Sequence, residues 1–395
     1  MTKLKLLITL VPGDYYFFGG EETFDNAAGK TRNYLVRSNL LPQQTALVGL
    51  LRHILYLNEF NIGPESFRPD ASDTDFGALK KVHPLFLQYG DGPERRFLLP
   101  SSKLWLKNEQ EIMVDFNGAA GTGFAGQEFS ASPNLTFHNA GKKEQYTYKE
   151  QFGAFWTFLD DGTKLPEKLH WKNDNPKSGE DNGGIFISST HIGIDKMNRM
   201  KARTSAEKLS NPDDEAFYKQ EFYSLRENFR FALVAEFETD SDPADFEQCF
   251  NTTMPFGGEA RTFSIRAEKW EDFQDKFQPE KAFGSQEDRI VLMSDAWVES
   301  PDRLLEHCRF AVTKAKPFRN IQIRKDQYET PNAFSNLHHF KKKLMYLLER
   351  GSVLFPKEPD SDTSSAAIVN ILKAPINFQN IGYNKFHSHK HPFSI

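Results

Sequence analysis

The most regular hydrophobic pattern in the chain is Leu41–Tyr56, LPQQTALVGLLRHILY. Leu47, Leu50, Leu51, Ile54 and Leu55 recur at the spacing of one buried helix face. The pattern predicts a helix with Thr45 as its N-cap and Pro42 holding the entering chain extended. Gly49 falls inside it, where glycine costs roughly 1 kcal/mol against alanine. That cost points to something close to the backbone. Arg52, three residues on, shares with Gly49 a face offset from the apolar stripe. A small gap beside a fixed guanidinium, near a helix N-terminus, suits a phosphate. A core helix with a packing glycine and a solvated arginine produces the same spacing.

Alternation with period two marks strands at 3–11, at 185–195 (IFISSTHIGID) and at 229–238 (FRFALVAEFE). Residues 289–298 (RIVLMSDAWV) read as a buried strand, and 82–116 as short strands around a turn at Asp91-Gly92-Pro93. DPADFEQCF (242–250) reads as a helix, as does a short piece at 302–308. NLHHFKKKLMYLLER (336–350) reads as a helix that closes at Gly351 and turns into a strand. The tail carries an Ile-Gly-Tyr turn at 381–383, and 58–80 and 160–184 read as loops. FGGEETF (18–24) and FGGEARTF (256–263) echo one another, a faint hint of duplicated halves.

Composition narrows the picture. At 395 residues the chain accommodates two domains, each with its own core. An apolar content of 38% and a mean hydropathy of −0.59 predict a soluble chain, and no apolar run approaches a membrane span. Leu6–Val11 is too short for a signal peptide and runs into Pro-Gly-Asp, so it reads as a first strand in a cytoplasmic protein. Cys249 and Cys308 make neither a disulfide framework nor a metal set. The net charge of −5 argues against a free-standing nucleic-acid binder but allows one basic strip in an assembly. The 36 phenylalanines exceed ordinary core needs and fit aromatic-rich interfaces.

Two basic strips stand out in this acidic chain. Between two strands, Lys196, Arg199, Lys201, Arg203 and Lys208 face only Asp195 and Glu207, with Met197, Asn198 and Met200 interleaved. Basic side chains mixed with large apolar ones on a protruding loop suit a backbone-contacting, base-wedging element. The second strip, 310–325, carries Lys314, Lys316, Arg319, Arg324 and Lys325 with no acid among them. GTGFAG (121–126) matches a dinucleotide-binding fingerprint formally, but a Pro-interrupted, β-like stretch follows where the phosphate-holding helix belongs, so it reads as a loop. His387, His389 and His391 lack a second ligand group and read as tail. A metal-independent ribonuclease would need only a His or Tyr general acid/base near a basic cleft; His53 and His191 are the candidates.

Taken together, these segments resemble the RAMP-type subunits of type III CRISPR effectors, most of all subunit three of the type III-B (Cmr) complex. Pro42, Thr45, Gly49 and Arg52 resemble that family's Pro and Ser/Thr leading into a helix with Gly-x-x-Arg, preceded by Asp14 and Phe17-Phe18-Gly19. HIGIDKMNRMKARTSAEK (191–208) followed by FYKQEFYSL (217–225) resembles its strand, basic thumb and return segment. PFGGEAR (255–261) resembles its Gly-Gly-Glu turn, and Gly351-Ser352-Val353 with Gly382 its glycine-rich C-terminal region. Asn384 stands where a second glycine belongs, and the thumb segment lacks a glycine before Phe217-Tyr218.

The resemblance implies an α+β fold of two ferredoxin-like (RRM-related) β-α-β-β-α-β halves, residues 1–225 and 226–395, with long insertions that include a basic β-hairpin thumb. It implies a non-catalytic scaffold that binds the 5′ tag of the guide RNA and meets target RNA only indirectly. Its place is at the foot of the complex, beside the large cyclase/nuclease subunit and adjacent RAMP backbone subunits. The RNA-contacting residues it implies are Gln44, Thr45, Gly49, Arg52, His53, His191, Lys196, Met197, Asn198, Arg199, Met200, Lys201, Arg203, Gly257, Gly258, Arg261, Gly351, Ser352 and Gly382. No cofactor or metal is implied. The competing readings are a guide-RNA-processing endoribonuclease of the same superfamily, the equivalent subunit of a type III-A or III-D complex, and a two-domain interaction protein without RNA.

Overall fold

The computed structural model describes residues 1–19, 35–63, 75–100, 106–107, 110–111, 135–139, 156–158, 185–194, 217–270, 289–318, 321–322, 340–341, 345–357 and 362–389. The chain opens on β1 (Thr2–Pro12), crosses through α1 (Gln44–Leu57) and returns in β2 (Leu79–Val82). It continues through β3 (Phe86–Tyr89) and β4 (Arg96–Pro100) to β5 (Phe186–Ile194) and β6 (Phe217–Leu225). It then re-enters the first sheet as β7 (Phe229–Thr239), passes through α2 (Pro243–Gln248) and ends in β8 (Thr252–Pro255) and β9 (Thr262–Lys269). β1 is central, antiparallel to β7 with Leu6 opposite Ala235 and to β9 with Ile8 opposite Ala267. β2 and β3 both pair with β7. Following the β-α-β-β-α-β path β1, β2, β7, β9, the spatial order is fourth, first, third, second.

The second sheet repeats that order. β10 (Arg289–Leu292), α3 (Pro301–Leu305), β11 (Cys308–Phe318), β12 (Met345–Leu348) and β13 (Val353–Pro356) are followed by α4 (Asp362–Lys373), α5 (Ile376–Asn380) and β14 (Phe386–His389). The antiparallel order β14-β10-β13-β11 again reads fourth, first, third, second. β7, β8 and β9 complete the sheet that β1 begins, and Leu135–Asn139, far earlier in the chain than β10, joins the second sheet by pairing with β11.

Local chemistry accounts for most element ends. Asp242 caps α2 by accepting from Ala244 N at 2.8 Å, and Ser300 caps α3 by accepting from Arg303 N at 3.3 Å. Two expectations need correction. Thr45 is not the N-cap of α1: the cap is Gln43, without a side-chain bond, and Thr45 lies in the first turn. The stretch at 336–350 does not form a helix where it is described. Met345–Leu348 is a strand between β11 and Ala296–Trp297, so sheet pairing overrides the helical pattern. Helices α4 and α5 were not anticipated from the tail sequence.

The two halves meet over a polar seam inside an aromatic one. The fully buried Gln44 side chain donates to His83 O at 3.0 Å and to Ile381 O at 2.9 Å, and accepts from Leu85 N at 3.2 Å. Asp295 Oδ1 accepts from Arg350 N at 2.9 Å and Nε at 3.4 Å, and Lys316 Nζ lies 3.5 Å from Oδ2. Burial alone would raise the Asp295 carboxyl, but Lys316 and Arg350 outweigh it and hold it well below the usual carboxylate range. Around this group Trp297 stacks on Phe378 at 5.2 Å, and Phe318 and Tyr383 close the cluster.

Asp295→Asn leaves two cations without their buried counter-charge and is expected to cost about 3–5 kcal/mol, read by urea unfolding. A pH-dependent contribution comes from Glu236, whose carboxyl is lowered to about 2, chiefly by its 2.7 Å hydrogen bond with His83. A depressed folded-state value stabilises fully above the ordinary 4.5 and is lost as pH falls from there towards about 2. Glu236→Gln should therefore flatten that part of the acid-unfolding curve.

Candidate nucleic-acid interface

α1 presents Gly49, Arg52 and His53 away from its buried stripe. Gly49 is exposed, and a Cβ built there meets nothing within 4 Å. The glycine therefore makes no close packing contact with the described part of its own chain. His53 is exposed one turn on. Arg52 is only half-exposed: its Nε donates to Ile62 O at 3.1 Å, and Nη2 to Ile62 O at 2.9 Å and Gly63 O at 3.3 Å. The guanidinium also lies over the Phe76 ring, 5.4 Å from its centre. Burial draws its pKa below the ordinary arginine value, with the Asp75 charge opposing. The solvated arginine considered from spacing is thus not what the structure shows.

A second group forms where four segments converge. β5 and β6 pair antiparallel with His191 opposite Gln220, and Leu35–Asn39 and Phe18–Gly19 extend that sheet. His191 Nε2 lies 3.0 Å from Ser189 Oγ, and its ring rests against Phe222 at 4.7 Å and Tyr15 at 5.8 Å. The Arg261 guanidinium sits over the same Phe222 ring at 4.8 Å, and its Nε is buried without a hydrogen-bond partner among the described residues. The Gly-Gly turn makes this approach possible. Gly257 adopts φ 86°, and a Cβ there would come within 2.7 Å of Phe17 O, while Gly258 N donates to that same oxygen at 2.7 Å. Phe17 in turn contacts Phe222 at 5.5 Å.

The structure thus brings His191, Gly257, Gly258 and Arg261 together and places Gly49, Arg52 and His53 on a separate helix face. Gln44, Gly351, Ser352 and Gly382 lie elsewhere and are all buried: Gln44 and Gly382 in the seam between the halves, Gly351 and Ser352 against Leu292 of β10, with Thr45 half-buried beside Gln44. Gly351 N donates to Leu292 O at 2.6 Å, Ser352 Oγ donates to Glu349 O at 2.5 Å, and Gly382 adopts φ 88° against the Gln44 amide. All four are covered by their own chain. Lys196, Met197, Asn198, Arg199, Met200, Lys201 and Arg203 lie outside the described residues, as does GTGFAG at 121–126. What is described of that insertion is its stem, which reaches Ile194 opposite Phe217. In the second basic strip, Lys316 is committed to Asp295. Among the described residues no cluster of three or more His, Cys, Asp or Glu side chains is placed to hold a metal, and no helix is long and apolar enough to cross a membrane.

Comparison with known proteins decides the family. The model of the CRISPR-associated protein family Cas_Cmr3 matches residues 8–387. The chain belongs to that family. It is thereby a RAMP-type CRISPR subunit of the kind that the dispersed sequence segments resemble. No curated protein matches. Among solved structures, a chain of the type III-B Cmr-beta complex bound to cognate target RNA and AMPPnP is 13% identical, with a TM-score of 0.44, covering 97% of this chain and 95% of that one. A chain of Cmr-beta bound to cognate target RNA is 11% identical at a TM-score of 0.44, covering 98% and 99%. A chain of the type III-A Csm3–Csm4 subcomplex is 11% identical at 0.32, covering 89% and 92%. The family assignment rests on the sequence match.

Tyr15, Phe17 and Phe222 complete the His191–Arg261 group; Phe17 stood out in the sequence only within the Phe17-Phe18-Gly19 resemblance, and Tyr15 and Phe222 were not singled out as site residues. The usable signal was the aromatic density of DYYFFGG against the alternating FYKQEFYSL. The two exposed glycines, Gly257 in a turn and Gly49 within α1, make a contrasting pair. Gly257→Ala combines a left-handed backbone with a clash on Phe17 O and is expected to destabilise the chain by about 1–3 kcal/mol. Gly49→Ala enters open space in a helix interior and is expected to stabilise the isolated chain by up to about 1 kcal/mol. Parallel denaturant unfolding of the two variants measures both.

Proposed function

We propose that this chain is a non-catalytic structural subunit of a type III-B CRISPR RNA-guided antiviral effector. In this reading it binds the 5′ tag of the guide RNA at the foot of the complex. It sits beside the large cyclase/nuclease subunit and adjacent RAMP backbone subunits, and meets target RNA only indirectly. The observation that carries the reading is the family match over residues 8–387. The repeated strand order fits two ferredoxin-like halves. The usual RRM platform is closed here, because Phe86, Phe97 and Trp270 on the free face of the first sheet are buried with Met293. In this reading RNA is held away from that face, at the β5–β6 hairpin, the β8–β9 turn and α1.

The Arg261–His191 group supplies a guanidinium and a half-buried ring beside Tyr15, which suits a phosphate next to an unstacked base. From His191 to the end of the hairpin stem is three residues, about 10 Å, and the basic segment 196–208 continues from there. In this arrangement Met197 and Met200 wedge the boundary between tag and guide. The open Gly49–His53 face of α1 gives a second contact, where a backbone passes close to the helix.

The test is to isolate the tagged chain from its host at low salt and sequence what accompanies it. Several protein partners with short RNAs sharing one 5′ end are expected, and Arg261→Ala should weaken RNA retention with a salt slope shallower by about 1. A purified chain that cuts repeat RNA alone, with activity lost in His53→Ala or His191→Ala, would replace this reading with the endoribonuclease.

A further inference from the structure

The connection from α1 to β2 closes on itself in a neck that the proposed function does not use. Residues 61–63 and 75–77 form two matched turns: Asn61 Oδ1 accepts from Gly63 N at 2.9 Å, and Asp75 Oδ1 accepts from Gly77 N at 2.8 Å. Gly63 and Gly77 adopt φ 69° and 70°. Each glycine is filled by the opposite turn, since a Cβ on Gly63 would overlap the Asp75 carbonyl oxygen and one on Gly77 would overlap that of Asn61. Ala78 N donates to Asn61 O at 2.8 Å and ties the turns together. The middle residues of the two turns, Ile62 and Phe76, are the ones that hold Arg52, one by its carbonyl and the other by its ring.

We propose that Arg52 is a positioning residue that fastens this neck to α1 beside the open Gly49 turn, and is not itself a phosphate ligand. The proposal rests on the RNA-scaffold reading for what the positioned surface binds. Three hydrogen bonds to two carbonyls use the Nε–Nη2 edge of the guanidinium, and the flat face is spent on Phe76. A phosphate drawing the side chain outward would break these bonds and unfasten the neck. Such a fork over an aromatic ring is a geometry lysine cannot reproduce, whereas lysine does serve as a phosphate-binding point charge. Arg52 thus accounts for its Gly-x-x-Arg spacing differently from the first reading: the glycine leaves a gap, and the arginine builds the wall beside it.

The test uses the assembled complex with its guide RNA and three variants, Arg52→Ala, Arg52→Lys and Gly77→Ala. All three are expected to weaken guide-RNA retention by a similar factor, of order tenfold, with the salt slope unchanged. Amide exchange at positions 63 and 77 should accelerate in each, with or without RNA. Rescue by Arg52→Lys together with a slope shallower by about 1 in Arg52→Ala would make Arg52 a ligand and overturn the proposal. Unaltered exchange in the Arg52 variants, or normal RNA retention in Gly77→Ala, would overturn it as well. A wild-type complex without RNA would instead overturn the functional reading beneath it, and the exchange data would still show whether Arg52 holds the neck.

Discussion

The arrangement of the two halves depends on one buried carboxylate. Asp295 leaves β10 at a bend and lies between Lys316 of β11 and Arg350 of the β12–β13 turn. The desolvation of three charges is tolerable only where each retains a partner. Arg350 therefore extends beyond its own half, with Nη1 3.5 Å from Leu85 O. Gln44 answers from the other side, joining α1, the β2–β3 link and the Ile381 turn through one side chain. Polar groups at such a seam fix geometry more than they add stability, because any sliding of one half over the other would orphan several of them at once. The apolar area around them, from Phe318 to Tyr383, provides the attraction without specifying the register.

A duplicated strand order sets a problem that the insertions solve. Each sheet has a helical side and a free side, and in the first sheet the free side is already filled by Leu7, Phe86, Phe97 and Trp270. A molecule built this way offers stacked bases no open face on the described part of its first sheet. What it has is the four-stranded sheet of β5 and β6, fastened to the body by the isolated pairing of Tyr16 with Tyr223 and by the Gly-Gly turn against Phe17. The position of Arg261 over Phe222 is thus set by backbone contacts between segments some 240 residues apart in the chain. Several phenylalanines serve this junction, with Phe17 against Phe222 and Phe18 against Phe256 and Phe263.

How much of this was legible follows the range of the interactions. The α1 stripe, β1, β5, β7 and the short α2 are local patterns, and each was readable within a turn or two. The segment Met345–Leu348 was misread because its fate is decided by Ala296–Trp297 and Phe318, up to fifty residues away. The FGG echo was real as a contact and misleading as a sign of duplication. Phe18 of one copy lies on Phe256 of the other at 5.4 Å, while the repetition that the structure shows is one of strand order. Asn384 was legible in part. Standing where glycine was expected, it adopts φ 55°, and its amide bonds to both backbone groups of Trp297 and to Leu372 O. Asparagine is the side chain best able to accept that backbone, so the departure preserves the turn and adds bonds to it.

The hardest distinction for sequence reasoning is between an arginine that binds a ligand and one that builds the place where a ligand binds. Both need the same side chain, since a guanidinium meets carbonyl oxygens and phosphate oxygens with the same donors. Spacing cannot separate them, because Gly49 and Arg52 share a helix face in either case. The structure separates them by what surrounds the side chain: Gly49 faces open space, while Arg52 is engaged with Ile62, Gly63 and Phe76. At Arg261 the surroundings differ in kind. Its guanidinium lies on a ring and its Nε is without a partner among the described residues, so its hydrogen-bonding capacity is not spent on its own fold. Of the two arginines, the one that makes no side-chain hydrogen bond among the described residues is the better candidate for an anion, and the one that commits its Nε–Nη2 edge to two backbone carbonyls is the better candidate for architecture.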